Sequence, residues 1–191
     1  MLGTTRNHSR GFTLIELLVT ISILSVTMAI AIPNLSDFIV KLRVNNEISE
    51  LHRLLLTARN TAITSEQNVT ICPLSSGNVC TDDWEKEITV FTDIDNDGIY
   101  EPATNERIIK IKAAAQSGDK LQYSTTRLTY VSTGVLSRTT ASGPRFSYCP
   151  ENKDELSRGI LVSASGRTYI SSDTDNDNKD EDRNGSEIVC S

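Results

Sequence analysis

Four features of this 191-residue chain have the residue types and spacing to do chemistry. The first is a lone acid, Glu16, inside the apolar run Phe12–Ile32. An ionisable side chain within a membrane-length segment is costly and demands a partner, so it is a functional candidate by default. The second is Asp93-Ile94-Asp95-Asn96-Asp97-Gly98. Carboxylates at alternate positions followed by glycine form the opening half of an EF-hand-like calcium loop, in which oxygens converge on a hard cation and glycine permits the sharp turn. The twelfth position is Thr104 rather than a bidentate glutamate, and Glu106 falls two residues late. A polar hairpin turn accounts for the same residues, so Asp93, Asp95 and Asp97 stand as calcium candidates beside that simpler reading. The third is a second acidic run, Asp173, Asp175, Asp177, Asp180, Glu181 and Asp182, which lacks the glycine. It reads as a solvated, mobile tail in preference to a metal site. The fourth is the cysteine set Cys72, Cys80, Cys149 and Cys190. An even count with no CxxC and no companion histidine points to disulfides in an oxidising compartment instead of zinc. Three pairings are open at this level.

Catalysis finds little support. His8 and His52 both precede the globular part, and no GxSxG element, phosphate loop or HExxH motif occurs. The net charge of −6 argues mildly against a general nucleic-acid binder, which carries a basic footprint.

These features need elements to hold them. Residues 1–11 are short, polar and basic; the next twenty-one, to Ile32, are apolar apart from Glu16 and small hydroxyl residues. As a helix that run spans roughly 32 Å, enough for a bilayer core of about 30 Å. Arg6 and Arg10 ahead of it keep the leader cytoplasmic by the positive-inside rule. An ordinary signal peptide would be cut near Ala29-Ile30-Ala31, but the early acid, the length of the run and the helical pattern beyond Pro33 count against it. From Asn34 the pattern turns amphipathic: Leu35, Phe38, Ile39, Leu42, Ile48, Leu51, Leu54, Leu55, Ala58 and Ala62 recur at helical spacing, with Lys41, Arg43, Glu47, Glu50 and Arg53 on other faces. His52 reads as a surface or edge residue of this helix. Beyond Glu66 the period shifts towards two. Strands are predicted at 68–71, 88–92, 107–112, 121–124, 128–131, 135–138, 145–149, 159–163 and 167–171. The fold class is α+β: a long amino-terminal helix, transmembrane then amphipathic, packed on an antiparallel β-sheet domain.

Gly11-Phe12-Thr13-Leu14-Ile15-Glu16 resembles the class III signal of type IV prepilins and type II secretion pseudopilins. The resemblance implies cleavage after Gly11 by a prepilin peptidase and methylation of the new amino-terminal Phe12. It implies that Glu16 pairs with the amino terminus of a neighbouring subunit, against the simpler reading of a solvated acid at the membrane edge. It also implies that Pro33 bends or loosens the helix. The domains are then a leader at 1–11, a transmembrane and polymerisation helix at 12–33, its amphipathic half at 34–64, and a periplasmic β domain with an acidic tail at 65–191.

Further matches resemble the GspH/FimT family of minor pilins and pseudopilins, which includes FimU-like proteins: Ala58-Arg59, Ala62-Ile63, Val69-Thr70-Ile71-Cys72-Pro73, Cys80, Asp83-Trp84, Thr89-Val90-Phe91-Thr92-Asp93 and Ser165-Gly166-Arg167. Lys110–Arg145 carries little of this signal. With the resemblance, the favoured pairing is Cys72–Cys80 and Cys149–Cys190. The expected function is a structural subunit that initiates or caps a type IV pilus or type II secretion pseudopilus. Its partners would be other major and minor pilins or pseudopilins, the prepilin peptidase and the inner-membrane assembly platform. It would be a single-pass inner-membrane protein before assembly. An unrelated single-pass enzyme is the remote alternative.

A nearer alternative is a DNA-binding, FimT-like subunit for uptake in transformation. Those relatives imply a Gly-Arg-x-Arg element, and here Gly166-Arg167-Thr168-Tyr169 replaces the second arginine with Tyr169. The acids of the following tail would repel phosphate. Arg145, Arg158 and Arg167 remain as a small basic patch, and DNA binding is disfavoured.

Overall fold

The computed structural model describes residues 12–138 and 143–190; within the helix, the side chains of Ile30, Ala31, Pro33 and Asn34 are outside that description. Its contacts divide the chain into two compact units at the Ile39/Val40 boundary. Helix α1 is Leu14–Ser65 and runs through Pro33. In the first unit its described large apolar side chains, from Leu14 to Ile39, are exposed. Among the described residues no helical stretch is long and apolar enough to cross a membrane.

In the second unit, Val44, Ile48, Leu51, Leu54, Leu55, Ala58 and Ala62 are buried. They repeat every three or four residues, which gathers them on one stripe facing the β domain. Leu42, expected on that stripe, is 46% exposed, and Val44 is buried in its place.

Among the described residues eight strands follow: β1 Val69–Pro73, β2 Ile88–Thr92, β3 Ile108–Lys112, β4 Lys120–Tyr123, β5 Leu128–Tyr130, β6 Arg145–Cys149, β7 Arg158–Val162 and β8 Thr168–Ile170. They form two antiparallel four-stranded sheets, in the orders β3-β2-β1-β5 and β4-β6-β7-β8. The predicted strand at 135–138 is not one. Leu136 makes a single bridge to Tyr130, while its N–H donates to Ala164 O. Among the described residues that bridge stands alone and builds no ladder.

The core joins the helix stripe to both sheets. Phe91, Trp84, Tyr130, Phe146, Tyr148, Ile160 and Val162 are all within a few per cent of full burial. Trp84 meets Tyr123 and Phe146 edge-on, with centroids 4.9 and 5.2 Å away. Edge-to-face contact places ring hydrogens against the negative π face.

The acidic segment expected as a solvated tail is folded back on the domain. Ser172 bridges Glu181, Glu181 bridges Glu187, and Ile188 is buried. Burying Ile188 and closing Cys149–Cys190 hold this segment against the second sheet.

Candidate functional site

The helix start is the first site. Thr13 lies just ahead of α1, and its N–H and hydroxyl both donate to Glu16 Oε2 at 2.9 Å. Glu16 N–H donates back to Thr13 Oγ1 at 3.3 Å. This is a capping box, which satisfies donors left over at a helix start. The Thr-x-x-Glu spacing was present in the sequence and carries this signal without any partner chain. Phe12 is 87% exposed beside it. Gly11 lies outside the described residues.

The disulfides are Cys72–Cys80 and Cys149–Cys190, and no described cysteine is free. The first ties β1 to the loop that follows it. The second ties the end of β6 to the tail.

Asp93, Asp95 and Asp97 come together in one turn, but mostly to bind its own backbone. Asp93 is fully buried; its Oδ1 accepts from Asp97 N–H at 3.0 Å and its Oδ2 from Thr70 Oγ1 at 2.6 Å. Burial raises its pKa above the ordinary aspartate value, opposed by the Thr70 hydrogen bond and the Arg127 charge. Asp97 Oδ1 accepts from Ile99 N–H. Glu106 enters the same cluster despite its late position, accepting from Ile94 and Glu101 N–H groups. Arg127 donates to the carbonyls of Asn96 and Asp97, placing a cation against the loop.

The three arginines are not brought together as a free basic patch. Arg145 pairs with Leu161 and Arg158 with Tyr148, at opposite ends of the β6–β7 ladder. Residues 145 and 148 are three apart, so alternation along the strand sends Arg145 and Arg158 to opposite faces. Arg145 is bonded to Asp182 at 3.2 Å. Arg158 is bonded to Asp180 at 2.8 Å and to Asn45 of α1 at 2.6 Å. Arg167 is exposed in the turn before β8. A guanidinium already held by a carboxylate has lost much of its attraction for phosphate.

Sequence reasoning missed the polar clamps between helix and sheets. Arg43, placed on a solvent face, meets Asp119 at 3.0 Å, and the buried Asp119 also accepts from Tyr148 OH at 2.5 Å and Glu151 N–H at 2.9 Å. Burial and the Asp119 charge push the Tyr148 phenol well above its usual pKa. Glu47 meets the buried Lys112 of β3 at 2.6 Å. His52 bonds Thr168 Oγ1 at 2.8 Å, and its partial burial lowers its pKa. Nothing local in the sequence joins residues so far apart.

The residues that carried the resemblance at the helix end form a latch. Arg59 Nε donates to Gly134 O at 2.9 Å and its Nη2 to Ser165 O at 3.0 Å. Gly166 has a φ of +78°, and a Cβ there would lie 2.1 Å from Gly134 O. Only glycine fits that approach.

Residues 47–166 match the family model described as type II transport protein GspH. The chain belongs to the GspH family. Residues 6–32 match the prokaryotic N-terminal methylation motif. Among solved structures, the chain is similar to the type IV minor pilin FimU of Pseudomonas aeruginosa (strain PAO1). One crystal form gives 18% identity over 71% of this chain and 92% of that one, with a TM-score of 0.55. Another gives 18% over 67% and 92%, with a TM-score of 0.51. The minor pseudopilin EpsH from the type 2 secretion system of Vibrio cholerae is 13% identical over 67% of this chain and 95% of that one, at a TM-score of 0.47. The FimU likeness identifies the fold: the GspH domain of this chain is a type IV pilin-like helix with antiparallel sheets.

Proposed function

We propose that this GspH-family chain is a minor pilin or pseudopilin, a structural subunit that initiates or caps a pilin-like fibre. One observation carries the reading. A methylation-type amino-terminal motif and a GspH domain lie on the same chain, at residues 6–32 and 47–166. The exposed apolar side chains from Leu14 to Ile39 supply a surface for lipid before assembly and for neighbouring helices afterwards. In this reading the chain enters the inner membrane once, with the β domain in the periplasm and its disulfides formed there. Prepilin peptidase cuts after Gly11, and Phe12 becomes the methylated terminus. Pro33 removes one helix hydrogen bond and loosens the helix for packing. The partners are other pilins or pseudopilins and the assembly platform.

Glu16 is assigned the intersubunit contact. Its capping box survives cleavage, because Thr13 N–H remains a peptide amide. In the fibre the carboxylate would exchange this cap for the charged amino terminus of a neighbour, or hold both. The test compares Glu16→Ala with Thr13→Ala in cells that assemble the fibre, scoring subunit in sheared fibres against subunit in membranes. Thr13→Ala removes the hydroxyl and leaves the charge, so incorporation should persist. Glu16→Ala should abolish it while the β domain stays folded. Equal incorporation of both variants would refute the pairing role. Mass spectrometry of the mature terminus tests processing: anything other than a methylated Phe12 overturns that assignment. A deletion strain separates the two machines, losing surface fibres in one case and exported protein in the other.

A further inference from the structure

The two acidic loops invert the order the sequence suggests. The Asp93 loop contains the glycine, yet its buried carboxylates are taken up by its own N–H groups and by Thr70 while Arg127 donates to its carbonyls, and the unpartnered buried oxygen there is the neutral amide oxygen of Asn96. The second loop lacks glycine but leaves a buried carboxylate oxygen without a partner. One carboxylate oxygen each from Asp173, Asp175, Asp177 and Glu181 lies within 4.8 Å of the others. The three aspartates are exposed, whereas Glu181 is only 5% exposed. Glu181 Oε2 accepts from the N–H and hydroxyl of Thr174, both at 2.7 Å; its Oε1 is buried with no hydrogen-bond partner. An orphaned carboxylate oxygen in a protein interior is strongly penalised unless a cation meets it.

No protein cation does so among the described residues. Lys179, within the loop, pairs with Glu187 at 2.9 Å and reaches Asp177 and Asp175 only through its longer-range charge. Arg158 is held by Asp180, and Arg183 lies over the Tyr169 ring at 4.5 Å. Four carboxylates therefore face one another with no ion pair of their own. Their backbone bonds use Asp173 Oδ1 and Oδ2, Asp175 Oδ1 and Asp177 Oδ1, leaving an oxygen on Asp175, Asp177 and Glu181.

We propose that Asp173, Asp175, Asp177 and Glu181 form a calcium site that fixes the carboxyl-terminal loop to the second sheet. The donors are all hard oxygens, with no histidine or cysteine, which disfavours zinc and softer metals. Four carboxylates gathered in one loop exceed the one or two by which Mg²⁺ is usually held, which favours Ca²⁺. Loop carbonyls and water complete the shell. Because Glu181 bridges both Ser172 and Glu187, a cation there would lock the path of the chain from β8 to the Cys149–Cys190 disulfide. The site stands independently of the fibre role.

The test uses the full chain in detergent, stripped with chelator and titrated with CaCl₂ by calorimetry, with thermal unfolding recorded in parallel. One Ca²⁺ should bind per chain, with a dissociation constant in the ~0.1–1 mM range of extracellular modules, and raise the unfolding temperature. Glu181→Gln keeps an acceptor for Thr174 and should weaken binding at least about tenfold. The exposed Asp175→Asn variant should do the same and guards against a folding defect at Glu181. Asp95→Asn, in the other loop, should bind as the parent does. No saturable binding at about 10 mM Ca²⁺, binding unchanged in both loop variants, loss confined to Asp95→Asn, or tighter binding of Mg²⁺ would each overturn the proposal.

Discussion

Replacing Glu47 by glutamine should destabilise the β domain by about 3 kcal/mol, although Glu47 sits on a helix face that looks solvent-exposed in sequence. The reason is Lys112. Its side chain is 1% exposed, and its ammonium is bonded to Glu47 Oε2 at 2.6 Å and to Ala113 O at 3.1 Å. At 2.6 Å and an effective dielectric of about 20, the gross attraction is about 6 kcal/mol, from which desolvation of both ions must be subtracted. Removing one partner forfeits the attraction while the other ion stays buried, at a typical cost of about 3–5 kcal/mol. Glu47 retains 20% exposure, so water can reach the gap, and the lower end applies.

The assay is urea unfolding of the full chain in detergent, read by the fluorescence of Trp84, the sole tryptophan and 1% exposed. With a slope of about 2 kcal/mol per molar urea, the midpoint should fall by about 1.5 M. The double variant Glu47→Leu with Lys112→Met should recover most of the loss, because apolar replacements of a buried pair are often neutral or stabilising. A single-variant loss below about 1 kcal/mol would refute the reasoning, since that is what an exposed pair yields.

Asp93→Asn should stabilise the protein at neutral pH: the folded pKa lies above the unfolded value near 3.8, so the ionisation penalty is absent below that value and full above the folded pKa. The stability gap between variant and parent should therefore open as pH rises through the acid range, and a gap independent of pH would exclude this cause. Gly166→Ala should cost roughly 2 kcal/mol or more in the same urea assay, from the positive φ and the clash with Gly134 O. Cys149→Ser with Cys190→Ser should lose up to about 4 kcal/mol by loop entropy and open the tail to protease, against about 2.6 kcal/mol for the shorter Cys72–Cys80 loop. His52→Gln should remove a small loss of stability below about pH 6.5, because the partly buried ring takes up a proton less readily than the unfolded chain does as pH falls.

The elements were legible where local pattern decides them. The apolar run and amphipathic stripe specify α1, and alternation bounded by Gly98, Gly134, Gly143 and Gly166 marks the strands. The division into two sheets was not legible. It depends on β1 pairing with both β2 and β5, which are separated by three dozen residues, and the two-residue period is blind to strand order. The clamps were hidden for the same reason. Arg43 meets Asp119 across 76 positions and Glu47 meets Lys112 across 65, so each reads locally as a charge on a wet helix face. At the other extreme, the partners of the Thr13–Glu16 box are three positions apart and the contact is fully encoded.

The acids of this chain show why composition could bound its function without locating its sites. Glu16, Glu47, Asp93 and Glu181 are alike in chemistry, and composition alone supplies no scale on which to rank them. Their surroundings separate them. Glu16 meets the free N–H groups of a helix start, where a negative charge is favoured by the aligned peptide dipoles. Glu47 meets a buried ammonium, so its charge is structural. Asp93 is encircled by donors and organises a turn at an ionisation cost. Glu181 is buried with donors for only one of its two oxygens. A carboxylate whose oxygens are matched by its own chain has its role inside the fold. One that exceeds those donors requires something from outside, and that excess draws attention to the carboxyl-terminal loop instead of the glycine-containing loop that the motif alone would choose.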